Sequence, residues 1–358
     1  MESSGSKIEP GFYRIYPNLY VVLVSPSGVG KKSTAIDLGM GLIDLSGIDI
    51  NVVRGAITHT RLISRLNSAL LKNPEGAAEL MIFNREFKVF TKGIIQDSPL
   101  VEYLTDIFDC GKFDYETEHS IQHQIKKPLI TMLAASTPEW LSGGRAGDLL
   151  SGGFGARMLP ITLLREEKSE TWPTKSKIEM ELQAKLAADL VEIDKMRGVF
   201  WVTDDGKEYF DKWYQKREQD KMHKDDRLRG FYSKKHDLVR KVAMVLSASF
   251  NDDMVVNKLH LETALYMFRK IEENILFAYT GASHTEKGAW NDIVLAKIRE
   301  YGNEWVDHST ILKRVKGRMS GKELKEVIQT LVDSDDIEYK KEQTQTKVKF
   351  MYRAKNDE

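Results

Sequence analysis

The first half of the chain places its apolar residues in short continuous runs rather than in strict alternation. A run over residues 18–25 is followed by a glycine-rich turn and then by a helical pattern over 33–45. Three similar runs and a further strand-like segment follow, at residues 50–53, 80–83, 129–135 and 158–164. Continuous apolar runs are typical of strands buried on both faces. The pattern therefore predicts an α/β core with a parallel sheet over residues 15–165, after an N-terminal arm of residues 1–14.

The second half changes to a helical period. Apolar residues recur every three or four positions from about residue 176, which predicts an all-helical domain over 176–282. A break near residues 282–287 indicates a hinge. Beyond it, three helical segments and two β-like runs predict a winged-helix domain over 286–354. Ser320 and Glu323 have the spacing of a capping box for the third of these helices.

Composition narrows the class of protein. The 358 residues include 53 basic and 53 acidic side chains, so the whole chain has no basic field, and any contact with DNA must come from local patches. No apolar run approaches the roughly 18 residues that span a bilayer, and the start lacks the apolar stretch of a signal peptide. A cytoplasmic protein without a membrane partner is expected. The lone cysteine, Cys110, is expected to be structural.

A candidate phosphate-binding loop lies between the first strand and the first helix. Its cradle residues are Ser27, Gly28, Val29, Gly30, Lys31, Lys32, Ser33 and Thr34. Backbone N–H groups and a helix N-terminus at this position can hold the phosphates of ATP, and a lysine can reach the terminal phosphates. The match to G-x-x-x-x-G-K-[ST] is irregular, because Ser25 replaces the first glycine.

Two registers fit the irregular loop. In the preferred register, Lys31 is the phosphate lysine and Ser33 supplies the Mg²⁺ hydroxyl one position late, with Thr34 in reserve. In the other, Lys32 is the phosphate lysine, Ser33 is in place, and Lys31 replaces the preceding glycine. Both registers make ATP and Mg²⁺ the expected cofactors.

Two further strand ends carry candidate chemistry. Asn84, Arg85 and Glu86 follow the run at 80–83, where P-loop ATPases carry acids, and Glu86 is the candidate catalytic carboxylate. Ser136 and Thr137 follow the run at 129–135 and could contact the attacking water or the γ-phosphate. A helix-capping role for this pair fits the same spacing.

Six ordered blocks resemble a family of phage, plasmid and prophage ATPases long known only as a domain of unknown function. The blocks are SPSGVGKKSTA, RGAITHTRLISRL, ELMIFNREF, LVEYLTDIFDCGKFDYET, LITMLAASTPEWL and GGFGARMLPI. These proteins look like helicases of the AAA+ class, allied to the MCM replicative helicases. The resemblance covers about residues 15–277. It implies a ring, with a hexamer expected, that has ATP sites between subunits.

The resemblance also assigns residues. It makes Thr137 the sensor, Arg157 a finger that reaches a neighbour's γ-phosphate, and Arg240 a second sensor on a helical lid. A surface salt bridge is the alternative for Arg157. The family carries an acidic pair after the third strand, and Arg85 departs from that pattern, which puts fast turnover in doubt.

Two segments are candidate DNA contacts. Residues 112–127 read as two strands around a turn near His119, and MCM-like rings place a hairpin there in a channel that holds single-stranded DNA. Its candidate donors are His119, His123, Lys126 and Lys127. In the winged-helix segment, Lys322, Lys325 and Lys347 could contact duplex DNA, although such domains also bind proteins.

Three functions remain open from the sequence. The first is an ATP-driven helicase or translocase that acts in replication of a mobile element, with priming left to a separate primase. The second is a DNA-binding initiator or loader that uses nucleotide as a switch with little turnover. The third is an inactive ATPase that serves as a scaffold.

Overall fold

The computed structural model describes residues 7–8, 13–72, 76–90, 99–117, 120–142, 153–163, 172, 176–219, 228–275, 278, 286–315, 319–343 and 348–355. The chain divides into two compact units, Met1–Ile275 and Leu276–Glu358. The expected ATPase core and most of the expected helical domain fall within the first unit, whereas residues 276–282 of that domain belong to the second unit. The division of the first unit into two domains stays a prediction. Within the described residues, no helix combines the length and apolar character needed to cross a membrane.

The first unit is built on a five-stranded parallel sheet. Its strands are β1 (Tyr20–Val24), β2 (Val52–Arg54), β3 (Ala78–Asn84), β6 (Pro128–Ser136) and β7 (Met158–Thr162), and they lie in the order β2-β3-β6-β1-β7. Every pair in this sheet is parallel. The prediction of an α/β core with a parallel sheet is confirmed. Because β6 lies between β1 and β3, the carboxyl ends of these three strands meet at one edge.

The strands form where the apolar runs predict them. In β1 and β6 one face is fully buried, whereas the other is half-buried at residues such as Leu23 and Leu133. Tyr20, Val22, Ile82, Met132 and Ala134 are all fully buried in the described structure. The helices of this part are α1 (Lys32–Ser46), α2 (His59–Lys72), α3 (Phe87–Phe90), α4 (Leu100–Ile107) and α5 (Pro138–Ser142). A short 3-10 turn, Gly155–Arg157, leads into β7.

A hairpin leaves the sheet before β6, as predicted. Strands β4 (Phe113–Thr117) and β5 (Ser120–Ile125) pair antiparallel, with an irregularity between Tyr115 and Thr117. The predicted turn at residues 118–119 lies outside the described residues. The backbone of β5 continues within two residues into β6.

The remainder of the first unit is mainly helical. Its helices are α6 (Lys177–Lys195), α7 (Asp204–Gln219), α8 (Arg229–Phe250) and α9 (Lys258–Glu272). The expectation of an all-helical segment is wrong in one respect, because β8 (Trp201–Val202) and β9 (Val255–Val256) pair in parallel. Two-residue strands are too short to show a period in sequence. The apolar face predicted for α6 is also partly exposed, at Leu182 and Leu186.

The second unit has a helix-rich order with a three-stranded sheet. It contains α10 (Glu286–Arg299), β10 (Val306–Asp307), α11 (His308–Val315), α12 (Gly321–Asp333), β11 (Ile337–Gln343) and β12 (Val348–Ala354). The strands lie in the order β10-β12-β11, and both pairs are antiparallel. The predicted capping box is confirmed, because the Ser320 side chain accepts from the Glu323 amide and Glu323 accepts from the Ser320 amide. The assignment of this unit as a winged-helix domain stays a prediction.

Candidate phosphate-binding site

The loop after β1 closes a cavity of about 770 Å³ at the carboxyl edge of the sheet. The loop turns through positive φ angles at Gly28, Gly30 and Lys31, which are 79°, 77° and 41°. An added Cβ at Gly30 would lie 2.8 Å from Leu163 Cδ2 and 3.2 Å from Ser25 Oγ, so the exposed Leu163 side chain would have to shift. The positive φ of Gly30 is therefore the main reason that this position favours glycine.

Ser25 explains why the loop tolerates the loss of its first glycine. This residue is fully buried, and its hydroxyl donates to the Val29 carbonyl oxygen across the loop at 2.6 Å. The Ser25 side chain thus stabilises the loop from the inside by a hydrogen bond, at the position where the motif has a glycine. The sequence motif alone does not reveal this bond, because it depends on the folded path of residues 25–29.

Lys32, rather than Lys31, directs its ammonium into the loop. The Lys32 Nζ donates to the Ser25 carbonyl oxygen at 2.8 Å, to Ser25 Oγ at 2.7 Å and to the Pro26 carbonyl oxygen at 3.1 Å. Burial lowers the pKa of Lys32, although Glu139 across the cavity opposes that shift. Lys31 is exposed and takes the left-handed conformation at the residue before α1.

This geometry favours the second of the two registers. A left-handed residue directly before the helix is normally a glycine, and Lys31 occupies that place. Lys32 then begins α1, and Ser33 follows it with its side chain lining the cavity. The preferred sequence register, with Lys31 as the phosphate lysine, has the less suitable geometry.

The wall opposite the loop comes from the ends of β3 and β6. Glu86 and Thr137 line the cavity, together with Arg85, Ser136 and Glu139. Asn84 ends β3 and accepts from the Glu86 amide at 3.0 Å, which fixes the backbone where Glu86 leaves the strand. The Thr137 carbonyl accepts from the Leu141 amide, so Thr137 also begins the turn of α5.

Arg85 brings a cation where the resemblance implies an acid. Its guanidinium contacts Asp37 Oδ1 of α1 at 2.7 Å, through both Nε and Nη2. Asp37 lies one helical turn after Ser33, on the same side of α1. The pair joins residues 48 positions apart, and neither the motif nor the local pattern predicts it.

The two arginines assigned by the resemblance lie outside the lining of this cavity. Arg157 donates to the Gly153 carbonyl oxygen at 2.9 Å and to Asp109 Oδ2 at 3.0 Å. Arg240 donates to the Tyr13 hydroxyl at 2.8 Å and to Asp237 at 3.0 Å. Both side chains are mostly buried, and the Arg157 guanidinium is held by Asp109.

Asp109 is an anionic centre that the sequence does not reveal. Lys234 on α8 contacts both of its carboxylate oxygens at 3.2 Å, and Arg157 contacts one. Burial alone would raise the pKa of Asp109, but the two cations outweigh it and hold the pKa below its usual value. Through these ion pairs, Asp109 connects Arg157, in the turn before β7, with Lys234 on α8.

The candidate DNA contacts are only partly described. His119 and Lys347 lie outside the described residues, as does the side chain of His123. Lys126 is exposed and Lys127 is half-buried, at the end of the hairpin. In the second unit, Lys322 and Lys325 are exposed on α12.

Comparisons with known proteins leave the family open. No protein-family model and no curated protein sequence matches the chain. It is similar to the solved structure of the Aeropyrum pernix Orc1 protein in complex with DNA, at 12% identity over 95% of this chain and 84% of that chain, with a TM-score of 0.25. It is also similar to Drosophila ORC bound to DNA, at 10% identity over 94% and 78% of the two chains, with a TM-score of 0.20. Likenesses with scores this low say nothing about what this chain does.

Proposed function

We propose that the chain is an ATP-binding P-loop protein of the AAA+ class that acts on DNA in replication. One observation carries the nucleotide part of the proposal. The Lys32 ammonium lies inside a glycine-containing loop between a buried parallel strand and a helix, and Lys32 lines one cavity together with residues from the ends of β3 and β6. Loop amides and the start of α1 offer donors to phosphate oxygens there.

The cavity residues divide the chemistry among them. Lys32 neutralises the terminal phosphates, and Ser33 offers the hydroxyl that a phosphate-bound Mg²⁺ would take. Glu86 orients the attacking water and accepts its proton. Thr137 donates to the γ-phosphate from the strand between the loop and the acid.

The resemblance supports a ring-shaped helicase or translocase of a phage or other mobile element. In that form, a hexamer places Arg157 against the neighbouring subunit's nucleotide, and Arg240 acts as a second sensor. The hairpin contacts single-stranded DNA through its basic residues, and Lys322, Lys325 and Lys347 contact DNA in the second unit. A separate primase would supply primers.

A nucleotide switch with little turnover is the second candidate, and the Arg85–Asp37 pair favours it. Asp37 is the only described carboxylate on the face of α1 next to Ser33. Arg85, just after β3, pairs with it and offsets its charge. Glu86 then acts without a second acid after the strand. A site of this kind can bind ATP and bias an assembly equilibrium without hydrolysing it quickly.

A charge swap separates the two candidates. The double variant Asp37→Arg/Arg85→Asp keeps an ion pair but places the carboxylate after β3, where the resemblance implies one. If the switch candidate is correct, wild type turns ATP over slowly with or without single-stranded DNA, and the swap raises turnover at least tenfold. Fast DNA-stimulated turnover by wild type that the swap does not increase would favour the helicase. The single variant Arg85→Ala controls for loss of the pair.

A further inference from the structure

The second unit contains a cleft of about 1020 Å³ that lies outside the proposed nucleotide site, and of the DNA contacts predicted from sequence only Lys325 is among its described lining residues. Its walls are one face of α12, at Lys325, Ile328 and Val332, and one face of the β11–β12 hairpin. The floor is aromatic. We infer that this cleft binds unpaired nucleotides of a single-stranded nucleic acid, with bases stacked on Tyr339 and Phe350 and phosphates held by lysines at its edge.

Strand register places the aromatic side chains together. Tyr339 pairs with Tyr352, and Lys341 pairs with Phe350, so these four residues share one face of the hairpin. Tyr352 is buried at the inner end of this face, whereas Tyr339 and Phe350 are 51% and 40% exposed. The apolar surface of the hairpin therefore continues past the core into the cleft.

The charges of the cleft suit a polyanion. Lys325, Lys341 and Lys349 line it and make no ion pair within the described part of the second unit. By contrast, Lys340 and Arg353 at adjacent hairpin positions pair with Glu342 and Glu338. The three cleft lysines can therefore pair with the phosphates of a bound ligand.

The two acids that line the cleft, Asp307 and Asp333, accept hydrogen bonds from neutral donors and remain anionic, so the three lysines leave the cleft with a small excess of positive charge. Asp307 accepts from the Ser309 and Thr310 amides and from both hydroxyls, and these hydroxyl bonds lower its pKa to about 2. Asp333 accepts from the Gln329 side chain at 2.7 Å. Neither carboxylate pairs with a cleft lysine in the described structure.

Aromatic rings select single strands over duplex for a simple reason. A base in a duplex is covered on both faces by its neighbours, whereas an unpaired base can present its face to a ring. Lys341 Nζ lies over the Phe350 ring, 5.5 Å from its centre, so a base that stacks on this face displaces the ammonium, which stays within reach of the neighbouring phosphate. The cleft volume is that of a small-molecule site and suits one or a few nucleotides.

The inference rests on the proposed action on DNA and adds which form of DNA the second unit binds. The test changes single side chains of the cleft. The full chain is titrated into fluorescein-labelled dT10 and into a labelled 20-base-pair duplex, and anisotropy is read. Tyr339→Ala and Phe350→Leu are each expected to weaken dT10 binding about 5- to 150-fold and to change duplex binding less than twofold. Tyr266→Ala, at an exposed tyrosine of α9, and Lys313→Ala, at an exposed lysine of α11 outside the cleft lining, should change neither.

A second readout keeps the result independent of other DNA contacts. Ten-mers that carry 5-iododeoxyuridine are irradiated with the full chain, and crosslinked peptides are mapped. Crosslinks at Tyr339 or Phe350 support the inference. Unchanged dT10 affinity in both variants, an equal loss for duplex, or crosslinks confined to the first unit would overturn it, and the cleft would then be a site for a protein partner. ATP affinity, measured on the same samples, reports separately on the proposed nucleotide site.

Discussion

Replacing Lys31 with glycine distinguishes the two registers of the phosphate loop. Lys31 holds a left-handed conformation, with φ of 41° and ψ of 40°, which costs a residue with a Cβ about 1 to 2 kcal/mol. Glycine removes that cost but gains about 0.5 to 1 kcal/mol of chain entropy in the unfolded state. The net expectation for Lys31→Gly is a stabilisation of about 0.75 kcal/mol, the middle of a range of about 0 to 1.5 kcal/mol.

That gain corresponds to a rise in Tm of roughly 1 to 4 °C for a unit of this size. The assay pairs thermal melts with titration of a fluorescent ATP analogue. Lys31→Gly should melt higher and keep its ATP affinity within about threefold. Lys32→Met, the matched control at the next position, should lose at least tenfold in affinity, because it removes the charged donor to phosphate. Loss of binding in Lys31→Gly with retention in Lys32→Met would refute the assignment of Lys32.

Three other perturbations test separate parts of the structure. Lys241 is a buried lysine of α8, and burial lowers its pKa to about 8 from 10.5. Between these two pH values the folded chain has released a proton that the unfolded chain keeps. The unfolding free energy of wild type, relative to that of Lys241→Met, should therefore rise by about 3 kcal/mol from pH 8 to pH 10.5. The measurement is a denaturant titration of both proteins at each pH. The difference between the two proteins is used because burial raises the pKa of the Cys110 thiol to about 12, which makes stability fall with rising pH. Wild type and Lys241→Met with the same dependence of unfolding free energy on pH would contradict the burial argument. If Arg157 acts in trans, mixing inactive Arg157→Ala and Lys32→Met chains should restore part of the ATPase rate, and a mixture without activity would argue against a shared site. Arg85→Ala leaves the Asp37 carboxylate unpaired beside the phosphate cavity, so ATP affinity should fall several-fold more than ADP affinity; equal losses would show that the γ-phosphate does not sense this charge.

The core of the fold is readable from sequence because its strands coincide with continuous apolar runs, although one face of β1 and of β6 is only half-buried. Runs such as residues 18–25 and 129–135 match β1 and β6 to within about two residues at each end. Strand order is a different matter, since no local pattern says that β6 lies between β1 and β3. The strands β8 and β9 are missed because two residues are too few to show the alternating hydrophobic pattern of a strand.

The candidate site could be predicted from sequence in its parts, but its geometry could not. Glycines and lysines indicate a candidate phosphate loop at residues 25–34, yet the argument for Lys32 over Lys31 depends on a backbone angle that tertiary structure sets. The brace from Ser25 to Val29 and the ion pair from Arg85 to Asp37 likewise arise only when the chain is folded. Long-range polar contacts of this kind leave no spacing in the sequence.

The central claim is that Lys32 and Glu86 serve one Mg²⁺–ATP site, and one set of measurements tests it most directly. ATP affinity and steady-state ATPase activity, with and without single-stranded DNA, are compared for wild type, Lys32→Met and Glu86→Gln. The account predicts that wild type binds ATP, that Lys32→Met does not, and that Glu86→Gln binds ATP while losing whatever turnover wild type has. Wild-type chain that binds no ATP in the presence of Mg²⁺, or ATP binding that Lys32→Met leaves intact, would contradict it.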